Sequence, residues 1–300
     1  MGSFPQSIVH YLPVTDHDER WGIVCTTAGH QHVPPGTPYP VSEHPEHYLF
    51  YKGSGRTLDE YQLVYITAGR GRFESASCPS QTVEAGTMLL LFPNEWHSYS
   101  PDPGTGWTEW WVGFRGANID RLEQQGFLCR RRPLLRIGCS GGIERCYREI
   151  IGTVEEERVG FQPLISSIVL HILGSVLFKH SNLLYSDNPV VEKINRAKAI
   201  MRTDFGRNRS PEQIAREVGM GYTWFRRVFR EYVGMAPAQY QHTMRLNKAR
   251  ELLATTAHSI SEIAYALGFE SVSAFSLFFR LRERLSPSQY RARFRGEKGQ

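Results

Sequence analysis

Cysteine is scarce in this chain and irregularly placed. Five residues in 300 (Cys25, Cys78, Cys129, Cys139 and Cys146) form no C-x-x-C pair. An odd, scattered set excludes a disulfide framework and a zinc ribbon, and predicts reduced, largely buried thiols in a cytoplasmic protein. No run of eighteen apolar residues occurs, so no membrane-spanning helix and no membrane partner are expected. The opening stretch, MGSFPQSIVHYLPVTDHDER, lacks a basic start followed by an apolar block, so no secretory signal is expected either. Patterns for chemistry are also missing. There is no nucleophile elbow, phosphate loop or Rossmann glycine pattern, and Gly69-x-Gly71 reads as a hairpin turn. His30/His32 and His44/His47 are closely spaced, but they fall in Pro-rich stretches with no partner cluster and read as surface histidines. Near the strand that would carry metal ligands only Glu95 and His97 occur, with no H-x-H followed by Glu. The expectation is a protein that is not an enzyme, with no catalytic residue, metal or cofactor.

What is present is unevenly distributed. From Val191 to the end there are 20 Lys+Arg against 10 Asp+Glu, a net charge of +10, while residues 1–190 carry a net −5. A basic C-terminal third on an acidic body points to a polyanion partner for that third alone.

The length fits two ordinary domains. Residues 1–135 are rich in Gly, Pro and aromatics and contain short alternating apolar runs. Tyr61–Thr67 reads as a strand, Ala68–Gly71 as a turn, and Arg72–Glu74 as resumed extended structure. Val83–Thr87 is a second turn, before a buried strand over Met88–Phe92 that stops at Pro93. Trp107–Phe114 alternates again. Such short strands between Gly/Pro turns predict an antiparallel barrel or sandwich. From Gly142 to about Glu157, Ile143, Cys146, Ile150 and Val154 recur at helical spacing. Phe161–Lys179 is a more apolar helix that must bury more than one face, against its own domain or a second subunit. Ser181–Pro189 reads as a linker, and Val190–Phe205 as a helix.

The last hundred residues carry one phrase twice. The first copy is Ser210, Pro211, Ile214, Ala215, Gly219, Phe225, Phe229, Pro237 and Tyr240. The second is Ser259, Glu262, Ile263, Ala264, Gly268, Phe275, Phe279, Pro287 and Tyr290. Ser210 and Ser259 predict N-caps, with Gln213 and Glu262 completing capping boxes. Gly219 and Gly268 end each first helix in a left-handed conformation. Each copy therefore predicts helix, tight turn, helix, the unit that lays one helix in the DNA major groove. Between the copies, Pro237 to about Ala254 predicts one helix of about 27 Å. That length would hold two heads near the roughly 34 Å repeat of B-DNA.

These motifs resemble the AraC/XylS family of bacterial transcription regulators over about residues 190–295. The family signature stands here as Ile260, Ile263, Ala264, Gly268, Phe269, Phe275, Phe279, Pro287, Tyr290 and Arg291. The resemblance implies that Thr223, Arg226 and Arg227 face DNA, flanked by Tyr222 and Trp224 and followed by Arg230. In the second unit it implies Val272, Ser273 and Ser276, with Leu277 where the family usually has a basic residue. Arg280, Arg282 and Arg284 are expected to meet phosphates or to fold back as solvated charges. The first unit is thus expected to carry most base readout. Arg284 also replaces a usual glycine, which leaves the chain path there open.

Residues 56–116, notably Leu89–Tyr99 and Trp107–Phe114, resemble the sugar-sensing cupin domain of the family's arabinose regulator. Strand alternation by itself puts Trp107, Glu109 and Trp111 on one face and Trp110, Val112 and Phe114 on the other. A carboxylate beside flat aromatic surfaces suits a sugar. Glu109 and Trp111 are therefore candidate ligand residues, and the resemblance adds Arg56, Tyr99 and His97. Trp96, Trp107 and Trp110 read as core aromatics.

The expected architecture is α+β and multidomain. A cupin-like antiparallel β-barrel (1–140) precedes dimerisation helices (141–182) and a linker (183–190). An all-α double helix-turn-helix domain follows (191–296), with units at about 210–233 and 259–284 around a linker helix at 237–254. The expected function is a cytoplasmic, sequence-specific activator, dimeric, bound to double-stranded promoter half-sites. A small saccharide would control it, with RNA polymerase as a further partner. The alternatives are a regulator with a non-sugar effector or none, and a metal-cupin enzyme fused to a DNA-binding domain.

Overall fold

The computed structural model describes residues 7–39, 55–183 and 189–296. His44 and His47 lie outside them. The chain divides into two compact units, residues 1–184 and 185–300.

The first unit is built on nine antiparallel strands: β1 (Ser7–Tyr11), β2 (Val24–Val33), β3 (Arg56–Thr57), β4 (Tyr61–Ser75), β5 (Cys78–Glu84), β6 (Thr87–Leu91), β7 (Trp96–Pro101), β8 (Trp107–Arg115) and β9 (Leu134–Arg136). The main path runs β1-β2-β8-β4-β6-β9. The first half of β4 lies between β6 and β8, and its second half between β5 and β7. One long strand therefore serves two sheet layers. Pairing does not run round into a closed ring among the described residues, since β1 meets only β2 and β9 only β6.

The expected turn at Ala68–Gly71 is not a turn. The strand β4 continues through it, with a register shift between Ile66 and Ala68 and Gly69 at φ +77°. These glycines mark the bend where β4 leaves one layer for the other. A Cβ on Gly71 would overlap the Trp107 indole, so the second glycine makes room for a ring. His30 and His32 lie on β2, not in a loop, and His30 is buried with its ring 4.0 Å from that of Trp110.

Alternation decides the two cores. The odd positions Tyr61, Leu63 and Tyr65 of β4, with Trp110, Val112 and Phe114 of β8, pack under two helices, α3 (Gly141–Glu156) and α4 (Phe161–Leu183). The even positions Val64 and Ile66, with Trp107 and Trp111, face a second interior closed by Phe73, Val83 and Tyr99. Two short helices complete the unit, α1 (Asp16–Glu19) and α2 (Ala117–Gln124). Helix α4 is longer than expected and, by length and composition, apolar enough to cross a membrane. Its placement identifies it as a core helix. Ile165, Val169, Ile172 and Val176 are buried on the sheet, and Gln162 and Ser166 hydrogen-bond the β2-side backbone at Cys25 and Ile23.

The second unit is all helical: α5 (Pro189–Thr203), α6 (Pro211–Glu217), α7 (Tyr222–Val233), α8 (Pro237–Thr255), α9 (Ile260–Ala266), α10 (Val272–Glu283) and α11 (Pro287–Gly296). Both capping boxes form, at Ser210/Gln213 and Ser259/Glu262. Gly219 and Gly268 take φ +68° and +76°. Each helix-turn-helix has its own core. In the first, Phe225, Phe229 and Tyr240 are in ring contact; in the second, Phe275, Phe279 and Tyr290 are. Each fully buried Phe contributes about 1.5–3 kcal/mol, enough to fix the crossing of two short helices that would not persist alone. Helix α8 supplies Tyr240 to one core and Ala249 and Leu253 to the other. The chain after α5 locks the two together: Phe205 packs on the second core, Gln241 donates to the Arg209 carbonyl (2.7 Å), and Arg245 donates to Asn208 (2.6 Å).

Candidate functional site

In the first unit the sequence-predicted side chains converge on one interior. The guanidinium of Arg56 on β3 donates to the Tyr99 hydroxyl (2.8 Å) and to His97 Nε2 (3.3 Å), both on β7. His97 Nδ1 lies 3.1 Å from the Glu95 carbonyl, which with the Arg56 bond assigns the Nδ1–H tautomer. Tyr39 donates to Glu109 Oε1 (3.3 Å), and its ring stands against those of Tyr99 and Trp107. Trp111 shares this interior, and Gly29 directly opposite it on β2 leaves room for its indole, which a Cβ would overlap. Arg56, His97, Tyr99, Glu109 and Trp111 thus belong to one enclosure.

Two residues of that enclosure escape the sequence reading. Tyr39 sits in a proline-rich stretch where no periodicity gives it a face. Trp107 shares the parity of Glu109 and Trp111, a signal that was available, but it reads as core. Its ring is buried, yet its Nε1–H has no hydrogen-bond partner among the described residues, and neither has Glu109 Oε2. Trp110 is core as expected, packed under α3 beside Tyr147, whereas Trp96 is only half-buried.

A second buried carboxylate shows how unusual Glu109 is. Glu60 is buried too, but Thr26, Thr27 and Gln62 all donate to it. Glu109 is 3% exposed and, among the described residues, accepts from Tyr39 alone and has one oxygen without a partner. Leaving a buried polar atom unpaired costs about 1–3 kcal/mol, so an indole N–H and a carboxyl oxygen, two residues apart on one strand face and both without a partner among the described residues, mark a place where a further polar group would be favoured. Burial pushes the Glu109 carboxyl up to about 8, against the opposing pull of Arg56 and Tyr39. Burial and the Arg56 charge hold His97 down at about 3, and burial lifts the Tyr99 hydroxyl to about 12. At neutral pH the enclosure is a set of neutral donors and acceptors around one guanidinium. The described residues hold no group of three His, Cys, Asp or Glu side chains arranged for a metal ion.

In the second unit the outward face of α7 carries Thr223, Trp224, Arg226, Arg227 and Arg230, all exposed. Thr223 and the three arginines, with Glu231, line one shallow concavity. Tyr222 is half-buried against the first core. On α10, Ser273 and Arg280 are exposed and Ser276 is half-buried, while Val272 packs against the second core. Arg282 folds back, its guanidinium 4.0 Å over the Phe278 ring and bonded to the Phe278 carbonyl. Arg284 itself adopts the left-handed conformation (φ 60°) that ends α10, the role Gly234 plays after α7.

Comparison with known proteins gives the same division. A family model described as an AraC-like ligand binding domain matches residues 48–173, and one described as a helix-turn-helix domain matches residues 214–293. The chain is 24% identical over 243 residues to the Msm operon regulatory protein of Streptococcus mutans, covering 78% of this chain and 84% of that protein. It is 24% identical to the raffinose operon transcriptional regulatory protein RafR of Pediococcus pentosaceus, covering 80% and 87%. It is 29% identical to the HTH-type transcriptional activator RhaS of Salmonella paratyphi B, covering 78% and 85%. Two helix-turn-helix units, the first with a basic outer face, following a β-domain that the ligand-binding family model matches, and similarity to such regulators over about four fifths of the chain lead to one conclusion: the chain belongs to the AraC/XylS family of DNA-binding transcription regulators.

Proposed function

We propose that this protein is a cytoplasmic activator whose DNA binding is controlled by a small saccharide held in the β-domain interior. The observation that carries the reading is the pair of orphaned groups, Trp107 Nε1 and Glu109 Oε2, on the face that also presents Trp111. A sugar ring answers both needs, since its hydroxyls donate and accept and its C–H face stacks on an indole. Arg56, Tyr99, His97 and Tyr39 complete the polar wall. Among relatives, one is named for a raffinose operon, and another is named an activator. The basic face of α7 supplies guanine-reading arginines and phosphate contacts, and α10 a second, weaker contact. The outer face of α4 pairs two copies, so that ligand binding alters which half-sites the dimer occupies. RNA polymerase is the downstream partner. The protein acts by binding, not by catalysis.

The test is a thermal-shift screen of the full chain against mono- and oligosaccharides, followed by operator binding with the best hit. A ligand that binds the native state alone raises Tm. The expected result is a shift of several degrees, with affinity reduced about tenfold in Trp107→Phe, which keeps an aromatic ring, though a smaller one, and removes the donor. A panel without any shift would overturn the saccharide assignment. Operator binding identical with and without the bound sugar would overturn its role as effector.

A further inference from the structure

The two reading helices expose side chains of opposite chemistry at equivalent positions. The repeat aligns Thr223 with Ser273, Trp224 with Ala274, Arg226 with Ser276, and Arg227 with Leu277. These positions lie in the first turns of α7 and α10, the part of a reading helix that meets base edges. On α7 the set includes two exposed arginines. On α10 it is Ser273, Ala274, Ser276 and Leu277, and Leu277 is 61% exposed. None of the four carries a guanidinium, an amide or a carboxylate. Bidentate recognition of guanine or adenine is therefore closed to these four positions of α10, and so is acceptance from cytosine N4, while the exposed Arg280 lies further along the helix. Two serine hydroxyls and an apolar patch remain. The one apolar feature in the major groove is the thymine 5-methyl group.

The surroundings of the patch select its occupant. Leu277 is followed one turn on by Leu281, also exposed, and the stripe is flanked by the exposed arginines Arg280 and Arg284, while Arg282 is engaged over the Phe278 ring. The acidic residue of this helix, Glu283, is turned away and bound to Arg250 (2.5 Å). An apolar stripe set among cations, with the one carboxylate neutralised, fits an apolar group carried on a polyanion. It does not fit an apolar patch on an uncharged protein surface, which would leave those cations unpaired.

We infer that the second helix-turn-helix reads thymine methyl groups through Ala274 and Leu277, so that the half-site under α10 is specified by pyrimidine methylation at C5 and not by hydrogen-bonded purines. The inference rests on the DNA-regulator reading above and adds the chemistry of one half-site. It predicts that the two half-sites differ in kind: one guanine-dependent, one thymine-dependent.

The experiment starts with duplexes selected from a random library by the full-length protein, then measures affinity at fixed salt. The half-site whose preference collapses in Arg226→Ala belongs to α7; the other belongs to α10. In the latter, thymines are replaced one at a time by deoxyuridine, which removes only the methyl. Burying one methyl is worth about a fourfold change in affinity. The expected result is a loss of about three- to fivefold at one or two thymines, regained when the same step carries 5-methylcytosine paired to guanine. Leu277→Ala should lose the uracil penalty at the thymine it covers, and Leu277→Arg should lose it too and favour guanine there. Leu277 is exposed, so these variants fold. A specific half-site indifferent to uracil, or penalties unchanged at every thymine in both Leu277→Ala and Ala274→Gly, would overturn the inference and leave the stripe to a protein partner. A selection that yields no sequence at all would overturn the DNA-regulator reading with it.

Discussion

At the scale of single residues, Glu109 links structure to a measurable property. Its folded carboxyl titrates near 8, well above the ordinary carboxylate range, because burial outweighs Arg56 and Tyr39. The folded state therefore holds a proton that the unfolded chain releases near 4.5. Between those values the native state binds more protons, so stability falls as pH rises, and the loss is complete once pH passes about 8. Glu109→Gln removes this dependence. The expected outcome is that urea midpoints of wild type and variant diverge from about pH 5 to pH 8 in favour of the variant, and run parallel above it. Midpoints with the same pH slope in both proteins would refute the assignment of a neutral buried carboxyl. Glu109 and Trp111 were legible as a pair because alternation along β8 fixes their common face. Tyr39 was not, because a residue in a proline-rich connection has no period and only tertiary structure brings it to Glu109. Trp107 was legible by face but not by chemistry, since an orphaned N–H cannot be seen until its neighbours are placed.

At the scale of elements, the helices were easier to read than the strands. Caps, periodicity and repeated phenylalanines act within a few residues of one another, so Ser259, Glu262, Phe275 and Phe279 declare their roles locally. Strand β4 does not: its glycines mimic a turn, and only the pairing with both β5 and β7 shows one continuous strand changing layers. β2 and the short β9 are not legible either, because their partners β8 and β6 are remote in sequence. Arg284 is the position where the helical repeat breaks its own rule. It takes a left-handed conformation that costs an L-residue about 1–2 kcal/mol, where the first unit has Gly234. A glycine there would relieve that cost but would add about 0.4–1 kcal/mol of unfolded-chain entropy. The net expectation for Arg284→Gly is a gain of about 0.5–1 kcal/mol. Gly234→Arg should lose a similar amount. Chemical denaturation of the two variants measures both signs, and a destabilised Arg284→Gly would mean that the arginine makes contacts worth more than its backbone strain.

At the scale of the whole molecule, what remains to be accounted for is the outer face of α4. Its inner face is filled by the sheet, yet Leu164, Ser167, His171, Gly174, Phe178 and Ser181 follow a three-four spacing along the outside, all exposed. No Asp, Glu, Lys or Arg occurs from Val159 to Phe178. Phe178 stands 69% exposed. The exposed Leu164 and Phe178 lie along this uncharged stripe, and its 3.5-residue spacing is that of paired helices. Ser167 and Gly174 would let two such helices approach closely. The proposed dimer would cover it with a second copy of α4, which would match this stripe in length and period. Phe178→Glu puts a charge in the seam without touching either core, so circular dichroism and thermal unfolding at low concentration should be unchanged. Light scattering should report a dimer for wild type and a monomer for the variant. On DNA carrying two operator sites, the variant should lose about 100-fold or more in affinity, because the second binding event is no longer intramolecular, while its affinity for a single site stays the same. A variant that remains dimeric would place the subunit contact elsewhere. It would then leave the α4 stripe as an apolar surface with some other cover, and the coupling of effector to half-site choice would have to pass through a different element.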